Sequence, residues 1–182
     1  MLKVLFISNG IDIERGAFEF VKEMNRRVPV FLYEVFLPKR SPGDWLLRAD
    51  PFFLLPPYKS QTQERLVMAA CRFSDLCREY DIRHSSYLGK GEAPVSKLEN
   101  ESRYADLLVL GDALFQQRST SYRWPHLAKI LRYCEYLVIV VPDHFQFSNG
   151  NVIAFDGSAS AVYALKQFSY LLPDLVATRQ FL

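Results

Sequence analysis

The residues best placed for chemistry lie in one stretch, LLVLGDALFQQRSTSYRWPHLAKIL, from Leu107 to Leu131. An apolar run stops at Gly111, and a polar loop follows with Ser119, Thr120 and Ser121 between Arg118 and Arg123. A helical pattern resumes after Pro125. A strand, a hydroxyl-rich loop and a helix start, in that order, can hold an anion, because backbone N–H groups and the helix dipole converge on the loop. Phosphate loops use glycine to let the backbone come close, and here Leu114, Trp124 and Pro125 stand in the loop instead. Proline also lacks the N–H from which a phosphate oxygen would accept. The competing reading of the hydroxyls is an N-cap beside solvated arginines.

Other reactive residues form no constellation. His84, His126 and His144 are far apart and show no metal-ligand spacing, so structural roles are expected and no metal site is assigned. No nucleophile elbow, P-loop lysine motif or dinucleotide fingerprint is present, and no catalytic residue is assigned. Cys71, Cys77 and Cys134 are odd in number and follow no redox spacing, which points to free thiols in a reducing compartment. Cys71 and Cys77, six apart, fall on different faces of a helix.

These residues must be positioned by an ordinary globular chain. Of its 182 residues 49% are hydrophobic and 23% charged, values that argue against disorder and suit one domain or one domain plus a fragment. A net charge of +2 without a Lys/Arg stripe gives no basis for a nucleic-acid partner. The opening MLKVLFISNG is too short and too poor in basic residues for a signal peptide, and no apolar run is long enough for a bilayer. A cytoplasmic protein without membrane association is expected. The aromatic share, with 14 Phe and 10 Tyr, predicts a crowded core or a buried interface.

Strand and helix patterns alternate along the chain. Apolar runs predict strands at Leu2–Ile7, Val30–Leu37, Ile82–Leu88, Asp106–Gly111 and Tyr136–Val141. Helical spacing appears in Phe18, Val21 and Met24, then in Leu66, Ala69, Ala70, Phe73, Cys77 and Tyr80. A short helix follows at Pro94, Val95 and Leu98, and another at Leu127, Ile130, Leu131 and Cys134. Asp75, Arg78 and Glu79 belong to the solvated side of the second helix. Alternation with apolar strands predicts an α/β fold, a five-stranded parallel sheet with helices on both faces. The loop GDWLLRADPFFLLPPY, Gly43–Tyr58, is too apolar for free solvation; it reads either as a cap on the core or as a partner surface.

Beyond Pro142 the opening pattern returns. NVIAFDGS (Asn151–Ser158) echoes KVLFISNG (Lys3–Gly10), and AVYALKQF (Ala161–Phe168) echoes AFEFVKEM (Ala17–Met24). The expected organisation is a domain over residues 1–142, a linker over 143–150, and a C-terminal β-α extension over 151–182 that begins a second module. One strand and one helix cannot bury both faces alone, so they must pack on the first module, on a second chain or on further sequence; exchange between protomers would meet this need and give the expected homodimer.

In this order the chain resembles the universal stress protein family. IRHSSYLGKGEAPVSKLENESRYADLLVLG (Ile82–Gly111) is similar to that family's third strand, third helix and fourth strand. ILRYCEYLVIVVP (Ile130–Pro142) is similar to its last helix end and last strand, and NVIAFDGSASAVYALKQFSYLLP to its first strand, Asp-Gly-Ser turn and first helix. The resemblance implies a Rossmann-like five-stranded sheet in which some members bind ATP. Binders carry an Asp after the first strand and, after the fourth, Gly, two residues, Gly, nine residues, Gly, then Ser or Thr.

Set on that pattern, Gly111 supplies the first glycine, Leu114 stands for the second, Trp124 for the third, and Pro125 for the hydroxyl. Ser8 and Asn9 occupy the place of the acidic residue, with Asp12 displaced into the following turn. The resemblance therefore implies a nucleotide site kept in outline: Ser8, Asn9, Gly111, Ser119, Thr120 and Ser121 in the first module, and Asp156, Gly157 and Ser158 in the second. The expectation is a non-enzymatic regulatory or interaction protein with no cofactor and an unknown protein partner. ATP held by an altered loop is the alternative.

Overall fold

The structure, a computed structural model, describes residues 1–8, 12–36, 60–88, 94–112, 137–146, 150–152, 155–176 and 179–181. β1 (Leu2–Ser8), β2 (Val30–Phe36), β3 (Arg83–Tyr87), β4 (Leu107–Gly111) and β5 (Leu137–Val141) form one sheet in the order β3-β2-β1-β4-β5. Every pairing is parallel, with Leu2 opposite Val30, Val4 opposite Leu107 and Leu107 opposite Leu137. The anticipated five-stranded parallel sheet is therefore present.

The central strands are apolar without alternation because both of their faces are covered. On one face Val4 and Phe6 of β1 and Leu107 and Val109 of β4 meet α1 (Arg15–Arg27) and α2 (Ser60–Glu79). On the other, Leu5, Ile7, Leu108 and Leu110 meet Leu98 of α3 (Pro94–Ser102). Helix α1 buries Ala17, Phe18, Phe20, Val21 and Met24 and turns its charges outward, where Lys22 pairs with Glu19 and Arg26 with Glu23. Arg26 and Arg27 close its last turn, where cations complement the helix dipole.

One expectation needs correcting. β3, with the sequence RHSSY, is the sheet's polar edge and is partly exposed, not an apolar strand buried on both faces. An edge position leaves part of the strand to water, which accommodates its polar residues. The predicted face of α2 is divided too: Ala69, Phe73 and Cys77 are buried, whereas Leu66 and Ala70 are half-buried and Tyr80 is exposed. Tyr80 covers the edge of Phe18 at 6.1 Å and lies beneath Lys22. Asp75 and Arg78 are exposed and paired at 3.3 Å, as solvated residues should be.

α3 is fastened to the start of the sheet by charge. Glu101 accepts from Lys3 Nζ at 2.6 Å and from Lys97 Nζ at 2.7 Å. Burial alone would raise the Glu101 carboxyl, but these two ammonium groups outweigh it and hold it below its usual value.

The C-terminal segment adds β6 (Gly150–Val152), α4 (Ala159–Leu171), α5 (Pro173–Val176) and β7 (Arg179–Phe181). β6 pairs in parallel with β7, Gly150 opposite Arg179, in a second, two-stranded sheet. The strand thus begins at Gly150, before the Val152–Phe155 run that the sequence suggests, and excludes Phe155, which is exposed. A second strand, unanticipated from the sequence, completes a β-α-β unit. The end of α4 does not stand apart: Leu172 is buried in the core beneath α1, with Phe168 and Leu171 packed against it.

Phe73 joins the sheet to its helical cover, with its ring 5.5 Å from Phe6, 6.3 Å from Phe18 and 6.3 Å from His84. Phe73→Ala should lower stability by about 3–5 kcal/mol, because a fully buried ring leaves a cavity that neighbours on two elements cannot fill. Urea denaturation should show the midpoint moving with little change in slope; a loss under about 1 kcal/mol would mean that α2 does not pack through this ring.

Candidate functional site

In an open α/β sheet a ligand crevice opens beyond the carboxyl ends of the strands, where the chain's direction of travel across the sheet reverses. Here that point lies between β1 and β4. Their last paired residues are Ile7 and Leu110, so Ser8 and Gly111 face each other across the start of the crevice. The structure therefore brings together two of the residues singled out from the sequence. Asn9, Leu114, Ser119, Thr120, Ser121, Trp124 and Pro125 lie outside the described residues, as does the 43–58 loop.

The crevice start is occupied by a carboxyl side chain. Glu14, immediately before α1, is buried and lies directly on Gly111: a Cβ on that glycine would stand 2.6 Å from Glu14 Oε2 and 3.0 Å from its Cβ and Cδ. Glu14 takes the N-cap position in extended conformation, its carbonyl accepting from Phe18 N–H at 2.9 Å. Its carboxyl thus sits at the positive end of α1, where a helix dipole favours an anion. Gly16 makes the arrangement possible from the other side, because a Cβ there would collide with the carbonyl oxygen of Pro142 at the end of β5. The first turn of α1 is pressed into the sheet's carboxyl edge.

A second carboxyl is hidden deeper. Glu34 of β2 is 1% exposed and lies on the face covered by α1 and α2. Its Oε2 accepts from Ser86 Oγ of β3 at 2.8 Å, and its carboxyl is hydrogen-bonded by Ser8 of β1. Oε1 has no hydrogen-bond partner among the described residues. Burial pushes the group up from 4.5 to about 8, more than the two hydroxyls can pull it down. Glu34 therefore carries a proton at neutral pH. Cys77 of α2 is raised to about 12, first by burial and then by the Glu34 charge.

The second predicted group is engaged locally. Asp156 Oδ1 accepts from Ser158 N–H at 2.9 Å, and Ser158 Oγ accepts from Ala161 N–H at 3.1 Å as the N-cap of α4. Hydrogen bonds from Ser158 hold the Asp156 carboxyl below its ordinary value. Gly157, between them, has φ +77°. The three residues form an exposed capping turn. His84 is held by Ser74 Oγ at 2.8 Å and Ile82 O at 3.1 Å. Among the described residues no group of three acidic, His or Cys side chains gathers around a possible metal.

Sequence reasoning missed both buried carboxyls. Glu34 left a signal, a single acid within the apolar strand VFLYEVF. Glu14 left none, because nothing local distinguishes it from other acids that precede a helix.

The fold and crevice define an α/β protein with a doubly wound parallel sheet, and comparison with known proteins adds the following. No protein-family model matches the sequence, and no curated protein matches it. Among solved structures the chain is similar to a universal stress protein in complex with cAMP, at 16% identity and a TM-score of 0.43, over 78% of this chain and 97% of that one. A universal stress protein from Archaeoglobus fulgidus is similar at 16% identity and a TM-score of 0.44, over 78% and 98%. A universal stress protein from Archaeoglobus fulgidus in complex with dAMP gives 16% and 0.42, over 78% and 97%. The fold assignment rests on this chain's own strand order and register.

Gly111→Ala tests the packing at the crevice. The added methyl should cost about 1–3 kcal/mol by overpacking on Glu14. Adding Glu14→Ala should recover most of that loss, giving a coupling above about 0.5 kcal/mol in a double-mutant cycle. Strictly additive losses would show that Glu14 does not lie on Gly111.

Proposed function

We propose that this chain is a universal-stress-protein-like regulatory or interaction protein whose first unit works without bound ATP. The observation that supports this most directly is Glu14 packed on Gly111. A carboxylate at the crevice start would repel phosphate oxygens and uses the helix dipole they would otherwise engage. The sequence agrees, with Leu114, Trp124 and Pro125 where a phosphate loop needs small residues and an N–H donor. The reading is non-enzymatic.

In this reading the working partners are a second copy of the chain and a protein not yet identified. Phe155, Tyr163 and Tyr170 support a contact surface, since they stand 57%, 42% and 80% exposed along one short segment. Exchange of the C-terminal unit between protomers is one way to form the dimer; packing of the intact unit against its copy is another. We take residues 1–142 as one working unit and 151–182 as the start of a related one. No described helix is long and apolar enough to cross a membrane, and free thiols at Cys71 and Cys77 suit a cytoplasmic setting.

ATP held by an altered loop is the competing reading, and it draws on Gly111 together with the hydroxyls Ser119, Thr120 and Ser121. Titration calorimetry with MgATP decides between them. The expected result is no measurable heat of binding, and a micromolar Kd overturns the proposal. Sedimentation equilibrium is the companion measurement: a dimer is expected, and a monomer at all concentrations removes the homodimer.

A further inference from the structure

Glu34 calls for an explanation that the crevice does not supply. A carboxyl within an apolar strand is costly unless it is neutral or paired. Here each neighbouring strand contributes one hydroxyl, Ser8 from β1 and Ser86 from β3. Oε1 is left over, buried and without a hydrogen-bond partner among the described residues. The three residues form a polar clip across β1, β2 and β3, roofed by α2.

The charges around the clip decide what ionisation would do. From α2, Cys77 is buried in the core on the same face, and its thiol is raised first by burial and then by the Glu34 charge. From β3, His84 is on the same face and is tied to Ser74 and to the Ile82 carbonyl. From β1 the facing residues are Phe6, opposite Glu34 in register, and the Ser8 hydroxyl. On the α1 side, Glu14 is buried at the head of the helix against Gly111, and Lys22 is turned outward to Glu19 and Tyr80. The influences on Glu34 are burial and two hydroxyls, with no cation among them.

We infer that the Ser8–Glu34–Ser86 cluster is a proton-operated latch that keeps α2 seated on the sheet while the Glu34 carboxyl is protonated and loosens it when the proton is lost. An ionised carboxylate in this slot must draw in water, and α2 is the part of the roof that can yield. The helix is anchored through Phe73 and Cys77, whereas Val67 and Met68, more than a turn before Phe73, are exposed. Loosening would also free the Ser8 hydroxyl, so the state of the latch reaches the crevice without any nucleotide.

The sign follows from the two proton affinities. The closed state holds the proton up to about 8, while an open state lets Glu34 return to its ordinary value of 4.5. The proton therefore favours closure. The stabilisation is complete below 4.5, declines as pH rises between these values, and levels off above about 8.

Hydrogen exchange on the full chain between pH 5 and 9, corrected for intrinsic rates, tests this. The opening constant of amides around Met68–Cys77 should rise by up to about tenfold per pH unit between pH 5 and 8. Glu34→Gln should make that profile flat and leave α2 more protected at pH 8. Parallel profiles for wild type and variant overturn the latch. An equal pH effect in α1, α2 and α3 overturns it as well, since the whole sheet would then be responding. If Glu34→Gln does not fold, isotope-edited infrared spectroscopy of Glu-labelled wild type provides the test. A buried protonated carboxyl should persist at pH 7, and loss of that band by pH 6 overturns the inference.

Discussion

The fold depends on β1 being enclosed on all four sides. It is paired in parallel with β2 and β4 along both edges, and helices cover both of its faces. A parallel strand in that position cannot alternate polar and apolar residues, and Val4, Phe6, Leu5 and Ile7 serve both cores at once. The carboxyl end of such a strand is the natural place for function, because neighbouring connections leave it in different directions. Ser8, Gly111, Glu14 and Glu34 all owe their positions to that one enclosed strand.

The same enclosure sets how closely parts can approach. Gly16 lets α1 meet the end of β5, and Gly111 lets the Glu14 side chain lie on β4. Two missing methyl groups thus set the depth of the crevice. Glycine at the end of β4 could equally admit a phosphate, but here the space beside it belongs to a side chain from the same protein. A glycine that marks a ligand loop and one that marks internal packing look alike until the neighbour is known.

That ambiguity explains how much could be read before the structure. The sheet was legible because apolar runs such as LLVLG and LVIVV leave little choice of environment. The helical faces were legible through spacing, down to the separation of exposed Cys71 from buried Cys77. Tyr80 was misjudged because an aromatic ring at a core spacing can still sit at a helix end, where it only covers its neighbours. The polar edge strand RHSSY was placed correctly but given the wrong environment, since strand order is set by long-range pairing and not by local pattern. The buried acids are a different case. Burial of Glu34 depends on hydroxyls that lie 26 residues before it and 52 after it, and no local reading connects them.

The C-terminal unit shows how similar backbones can meet different fates. β1–α1–β2 and β6–α4–β7 are both parallel β-α-β units, with Leu2 opposite Val30 in one and Gly150 opposite Arg179 in the other, a separation one residue longer. In the first, helix α1 lies on a five-stranded sheet and buries six residues. In the second, α4 packs on α5 and along β5 of the first sheet, and none of its residues is buried. The difference lies in the width of sheet available, not in helix sequence alone, since Val162, Leu165 and Phe168 keep the spacing of a core-facing stripe. Two three-residue strands cannot cover such a stripe, and Leu172 and Phe168 recover part of the lost burial by reaching the neighbouring core. The resulting unit is held firmly at its carboxyl end and open to contact at Phe155, Val162 and Tyr163.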